Sequence, residues 1–542
     1  MKTIKKRSLL KLTLIGILIS SFQFASMAQE QELRISPLRF AGVHALGSTN
    51  QGNGGYMVVH TASGSNWNYN LYDGNLRLIK ENQIETPKFA FFNGLVSNGD
   101  YTLLNFLVNA FSQSITYIAL NKHGVESARI TRENATMLRR GDQFYPNIFS
   151  HPLEGFIVTE TRGKGRNTGY VVEHLNNNLQ TLWSREIPSH KGNNHIYDLV
   201  VSNERIFILE ATEQMGKTRN TRLHSLSATD GSHLYTIELN DTQNTFFPTA
   251  LRPLDNGSIA LMGTYFNGDR INAKKTQGLF FMIASAEGQT INTAKYSWRE
   301  LRPLLRTRVP DWFFRLMPEV WVHALEVSND GTFTAVAELY RYSGEVTQME
   351  GETVKEKYHR IRMLDFMLFN FNESGEMTSA DRIERPHMVL KFDSEIASGS
   401  SSLSHSAGQG PLKRGRAMKK AGAFTYRFHN VYDDGFINLA YMSYENKMHY
   451  AYLMDLGCDY NSVKVDLSHA KPKFLSYLQI VDLCANQSGF GFIMSELNTR
   501  SFDDSEAYWR GILPAEENTM LLYEYLPLNG KLKMRIVNMT EK

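Results

Sequence analysis

Four glutamates occupy the same place in a recurring sequence pattern: Glu160, Glu210, Glu338 and Glu496 each close an apolar run. Carboxylates at equivalent positions of a repeat would share one face of the fold. There they could bind a cation, accept hydrogen bonds from sugar hydroxyls or, as a pair, serve as acid and base. The competing expectation is that each is neutralised by an Arg of a neighbouring repeat. Basic residues follow three of the runs: Arg162, Lys164 and Arg166, then Lys217, Arg219 and Arg222, then Arg270, Lys274 and Lys275. As loops of successive repeats they would project together, and a basic rim over an acidic ring would steer an anionic ligand such as a polyanionic glycan. Solubilising loop tips would look the same. Trp312, Phe313 and Phe314 form an aromatic run that could stack on sugars, seat a partner protein, or pack inward as a plug.

Other chemistry is missing from the pattern. The chain has no phosphate-binding loop, no dinucleotide-binding glycine motif, no Gly-x-Ser-x-Gly and no His-Glu-x-x-His. No calcium loop occurs, the sixteen His are scattered, and two cysteines cannot make a zinc ribbon. No cofactor and no metal are expected.

The elements that would position these residues are strands. Phe246–Trp298 shows the unit without interruption: an apolar run to Leu254, the turn Asp255-Asn256-Gly257, and a second run over Ser258–Tyr265. A polar loop, a third run over Gly278–Ala284, the turn Glu287-Gly288 and a last run to Trp298 complete it. The nearly continuous apolar second run recurs after Gly55, Gly99, Gly155, Glu204, Gly257, Gly331, Gly435 and Gly491. Adjacent uninterrupted copies start 44 to 56 residues apart, the period of a propeller or solenoid. Second strands apolar on both faces fit sheets stacked as blades. The fold class expected is all-β, a β-propeller of about eight four-stranded blades, or seven if the first or last copy is misread. Two stretches interrupt it. Residues 299–320, with Pro303, Pro310 and Pro318, read as a short, partly helical insertion, and 394–423, Gly/Ser-rich and basic, reads as a mobile loop.

Residues 1–28 read as a signal peptide. Lys2, Lys5, Lys6, Arg7 and Lys11 precede an apolar stretch over Leu12–Phe24, and Ser26-Met27-Ala28 supplies small residues for cleavage. Residues 29–542 are then a single propeller domain, exported to the periplasm or secreted, with no membrane span. Without the leader, 53 basic residues face 55 acidic ones, a net charge of −2 against +3 for the whole chain. A polybasic surface for nucleic acid is not expected. Cys458 and Cys484 would lie in turns of adjacent blades on one face. A disulfide there would close a loop of about 26 residues, worth about 3 kcal/mol; two buried thiols are the alternative.

The pairing of a turn-Gly-apolar strand with a strand-Asn-x-x-Gly half, seen best in Val322–Arg341 followed by Asp365–Gly375, resembles secreted bacterial β-propeller proteins of unassigned function. That resemblance implies a propeller and an exported location, and brings no catalytic residue. The function expected is non-enzymatic: a monomeric binding or scaffold protein that engages a glycan or an envelope protein through the long-loop face. The alternative is a polysaccharide-acting enzyme, hydrolase or lyase, with the glutamates at the channel mouth as its acid and base.

Overall fold

The computed structural model describes residues 30–538 except 134–146, 305–318, 394–410, 467–508 and connecting stretches of no more than six residues. The chain is nearly all antiparallel β-structure, arranged as eight four-stranded units in sequence order. Blade 1 is Phe40–Ala45, Tyr56–Ser63, Asn66–Tyr72 and Leu78–Glu85; blade 2 runs from Ala90–Ser97 to Glu126–Arg132. Blade 3 spans Asn147–Ser150 to Thr181–Ile187 and blade 4 Asn193–Val201 to His233–Glu238, joined by a single parallel bridge between Thr168 and Asn193. Blade 5 spans Asn244–Pro253 to Thr290–Ser297, blade 6 Glu319–Val327 to Met377–Ile383, and blade 7 Tyr426–Val431 to Ser462–Asp466.

Blade 8 is built differently. Trp509–Pro514, Thr519–Leu526 and Lys531–Asn538 provide three strands, and the N-terminal strand Glu30–Arg34 adds the outermost one beside Lys531–Arg535. The first seven repeats lie where the sequence places them. The eighth second strand is Thr519–Leu526; the copy read at 491–496, with Glu496, lies outside the described residues.

Side chains explain why the second strands are apolar throughout. Successive residues of a strand point to opposite faces, and here both faces are covered by neighbouring blades. Leu104 and Phe106 pack on Met57 and Tyr69 of blade 1, whereas Leu103 packs toward Phe156 and Val158 of blade 3. Likewise Ile206 and Ile208 face blade 3, and Phe207 and Leu209 face blade 5. Further clusters join blades 5 to 6, 6 to 7 and 7 to 8. The last joins 8 to 1, with Leu521 and Tyr525 against Tyr56 and Val58. Eight interfaces therefore close the ring, which is the β-propeller, and first strands of neighbouring blades lie against one another around its axis.

The turns between third and fourth strands share one device. Asp73, Asn121 and Asn176 each accept backbone N–H bonds from the second and fourth residues beyond them, all within 2.8 to 3.0 Å. The residue three positions on is left-handed: Gly124, but also Leu76 and Leu179 at φ 58° and 59°. Leu179 tolerates this because its side chain is buried in the interface of blades 2 and 3. Leu179→Gly should therefore destabilise the protein. Relief of about 1–2 kcal/mol of left-handed strain falls short of the 2–5 kcal/mol a buried Leu contributes. A net loss of about 1–2 kcal/mol in chemical denaturation is expected, and a stabilised variant would contradict this packing.

Candidate functional site on the hairpin face

Hairpins joining second to third strands, and the connections between blades, open on one face of the ring. The basic segments after Glu160 and Glu210 belong to hairpins rather than loops. Arg162 lies in Phe156–Lys164, and Lys217 and Arg222 lie in Lys217–Ser227, with Lys164 opposite Asn167 and Gln214 opposite Lys217. Polar composition suggested loops, but in a hairpin ladder each backbone group finds a partner whatever the side chains. Arg270, Trp312, Phe313, Cys458 and Cys484 lie outside the described residues.

The glutamates also sit differently from the expectation. The second strands run on past them, by four residues beyond Glu160 and Glu210 and by twelve beyond Glu338, so each carboxylate is held inside an interface. Glu160 is 2.7 Å from Arg132 of blade 2, which also pairs with Glu173 at 2.7 Å; Arg162, more exposed, stands 3.7 Å away. Glu210, 1% exposed, accepts from Asn194 at 3.2 Å and lies 3.3 Å from His224 and 3.8 Å from Arg222. Tyr117 donates to Glu160 across the blade boundary. Burial, and then the nearby Glu160 charge, push its hydroxyl well above the usual tyrosine range; Tyr170 is raised the same way beside Glu210. A Tyr of one blade covering the Glu of the next is thus a repeated inter-blade latch.

Glu338 is the most enclosed. Its carboxylate receives Arg385 Nη2 at 2.6 Å, Thr425 Oγ1 at 2.7 Å, and the backbone N–H groups of Thr425 and Tyr426 at 3.1 to 3.2 Å. His323 Nε2 completes the shell at 3.2 Å, its ring stacked on Tyr426. Burial alone would raise the Glu338 pKa, but Arg385 and the donors from His323 and Thr425 outweigh it and hold the carboxyl at about 2. Arg385 also donates to Leu364 O and Thr425 Oγ1 and covers the Phe366 ring at 4.4 Å. Beside it, Asp365 binds Arg382 at 2.8 Å and His387 at 3.2 Å. This network ties blade 6 to the chain leading into blade 7. Sequence pattern found Glu338 but not Arg385 or Asp365, which lie in different strands and connections and share no motif.

Two further features rise on this face. The second hairpin of blade 6, Phe333–Glu350 with Thr353–Phe371, runs far past its blade, and Met388–Asp393 pairs with Tyr358–Met363 to make the arm three-stranded. From Tyr340 to Glu350 it extends about 34 Å. Within 394–423, read as a mobile loop, Pro411–Lys420 forms a helix, α2, after α1 at Trp298–Leu304. Leu412 packs on Phe247 and Phe266 of blade 5 and Met418 joins Trp321 and Tyr340 of blade 6. Lys419 lies 3.6 Å from Asp198 of blade 4. Thus α2 lies across the hairpin-face halves of three successive blades. Whether Trp312, Phe313 and Phe314 stack or plug falls outside the described residues. The helical reading of 299–320 survives in α1, capped by reciprocal bonds between Ser297 and Glu300.

On the turn face of blade 3, His151 and His174 stack at 4.6 Å between ring centroids. Burial, and then the neighbouring His174, lower His151 to about 4. Because the unfolded group titrates near 6.5, the unfolded chain binds more protons between pH 6.5 and 4. Stability should be full above 6.5 and fall away toward 4, read as denaturation midpoint against pH. His151→Phe should flatten that part of the profile, and an unchanged profile would remove His151 from the account. Among the described residues, no group of three or more His, Cys, Asp or Glu is placed to hold a metal ion, and no helix is long and apolar enough to cross a membrane.

The family described as "Family of unknown function (DUF6770)" matches residues 91–470, from the start of blade 2 to the end of blade 7. No curated protein matches the chain. Among solved structures, the β-propeller domain of the Trilobed protease from Pyrococcus furiosus is similar at 10% identity, over 84% of this chain and 99% of that one, with a TM-score of 0.35. The quinohemoprotein alcohol dehydrogenase ADHIIG from Pseudomonas putida HK5 is similar at 8% identity, over 95% and 76%, with a TM-score of 0.40. The polysaccharide lyase Uly1 is similar at 9% identity, over 95% and 100%, with a TM-score of 0.35. None of the three brings a residue or an activity to this chain.

Proposed function

Because the chain belongs to the DUF6770 family of unknown function, which carries no activity with it, we propose from its own geometry that the protein binds rather than catalyses. In this reading it is an exported propeller that holds a glycan or an envelope protein on its hairpin face. The observation that carries it is the state of the glutamates. Cleavage by two carboxyls needs one that is protonated near neutrality and a second that is free to attack or to activate water. Glu338, held at about 2, is ionised and has its oxygens filled by donors. Glu160 is buried in an ion pair with Arg132 of the neighbouring blade, and Glu210 is buried beside His224 and Arg222 of its own blade. What varies between blades on this face is presentation: the exposed Arg162, the long arm of blade 6, and α2.

The test compares the protein with a variant carrying Arg162, Lys217, Arg270 and Trp312 as Ala, on a glycan array and in pull-downs from envelope extract. Binding should fall by about tenfold or more, a change of about 1.4 kcal/mol. Unchanged signals would place binding elsewhere, and new reducing ends or unsaturated products from any polysaccharide would overturn the non-catalytic reading.

A further inference from the structure

The floor on which α2 rests is built to hold cations. The Arg414 guanidinium meets both oxygens of Glu319, with Nε at 2.9 Å and Nη2 at 2.8 Å, and covers the Tyr342 ring at 4.1 Å. The residue is 5% exposed. Two positions on, Arg416 covers the Tyr197 ring at 3.8 Å, and Lys419 reaches Asp198. A carboxylate fork backed by an aromatic face selects a planar guanidinium over an ammonium. Between the two arginines, Gly415 lets the backbone down onto Trp321: a Cβ there would stand 2.3 Å from the indole.

A second observation points the same way. The Trp321 indole is 5% exposed, yet its Nε1–H has no acceptor among the described residues. Buried donors are normally paired, and leaving one unpaired is costly. The helix fills the two cation cradles and does not supply the oxygen this donor needs.

We infer that the floor is a binding site for an arginine-containing segment of a partner protein, of Arg-x-Arg spacing, and that α2 occupies it in cis. This rests on the hairpin-face reading and names the class of partner that face takes. Glu319 with Tyr342 receives one guanidinium and the Tyr197 ring the next, and Asp198 takes a third cation where Lys419 now stands. A carbonyl or hydroxyl oxygen of the segment accepts from Trp321. In the isolated chain α2 competes for the same cradles and keeps them covered.

The test uses the full chain and a fluorescent peptide of residues 409–422, together with the same peptide carrying Lys for both arginines. R414A/R416A weakens the helix in cis, so it should bind the Arg peptide about tenfold or more tightly than the unsubstituted protein does. The Lys peptide should bind about tenfold more weakly, and adding E319Q should remove most of the gain. Equal binding of the two peptides, or no gain in the variant, overturns the inference. Should the variant fold poorly, the unsubstituted protein at saturating peptide must show faster amide exchange over 411–420, and unchanged exchange also overturns it. A dimer that swaps α2 would appear as concentration-dependent mass in light scattering and would overturn the assignment to a partner protein. If the peptide fails while glycan or envelope signals persist, only this inference falls. If those signals vanish and the peptide still binds, only the broader reading falls.

Discussion

Arg385→Ala is expected to destabilise the protein by about 3–5 kcal/mol, the cost of leaving a buried carboxylate without its counter-ion. Glu338 and the Arg385 side chain are both fully buried, 2.6 Å apart. Deleting the guanidinium also strips donors from Leu364 O and Thr425 Oγ1. The pH dependence separates this from simple loss of packing. In the native protein Glu338 is depressed to about 2 from 4.5, so its stabilising contribution is present above 4.5 and lost as pH falls toward 2. Without Arg385 burial dominates and the folded carboxyl titrates above 4.5, so the deficit should shrink as pH is lowered. Urea denaturation between pH 7 and 4 reads both effects. A deficit below 1 kcal/mol, or one independent of pH, would contradict the assigned network. Replacing Glu338 and Arg385 together by Met should restore most of the loss, since the pair then leaves no orphaned charge.

The second large effect concerns ring closure. Deleting residues 30–34 should cost on the order of 2–4 kcal/mol and broaden the unfolding transition. Five paired residues are lost from blade 8, Leu33 leaves the blade 8–blade 1 cluster, and Lys531–Arg535 becomes a bare edge. The strand is acidic at Glu30 and Glu32, and its partner is basic at Lys531, Lys533 and Arg535. Those ion pairs are exposed, so high salt should weaken closure only slightly. Most of the cost lies in the ladder and apolar contacts. A deletion variant with unchanged midpoint and cooperativity would show that blade 8 closes without this strand.

The ring was legible in the sequence because its cause is local and repeated. A second strand covered on both faces must be apolar at every position, as in Phe207–Leu209 or Leu103–Leu104, and each hairpin needs a turn residue such as Gly257 or Gly331. The eighth copy read at 491–496 lies outside the described residues, and the fourth strand of blade 8 was not legible because it comes from the other end of the chain, where a repeat search does not look. The carboxylates were recognised by position, and their partners were not. Arg132 meets Glu160 only through the packing of blade 2 on blade 3, and Arg385 meets Glu338 from a connection of blade 6, at sequence separations of 28 and 47 that carry no pattern. The stretch at 411–420 read as loop because it lies within the Gly/Ser-rich, non-periodic segment 394–423 and carries Gly415. Burial of Leu412, Arg414 and Met418 against three blades supplies the stability that propensity lacks.

Binding is assigned to the hairpin face. Amide hydrogen exchange, with and without the array glycan or captured envelope protein of strongest signal, tests this most directly. Slowed exchange is predicted in 161–169, 212–220 and the blade 6 arm over 341–362, with faster or slower exchange in α2. The turns at 73–77, 121–125 and 176–180 should not change. Protection confined to those turns, with the hairpins unaltered, would contradict it.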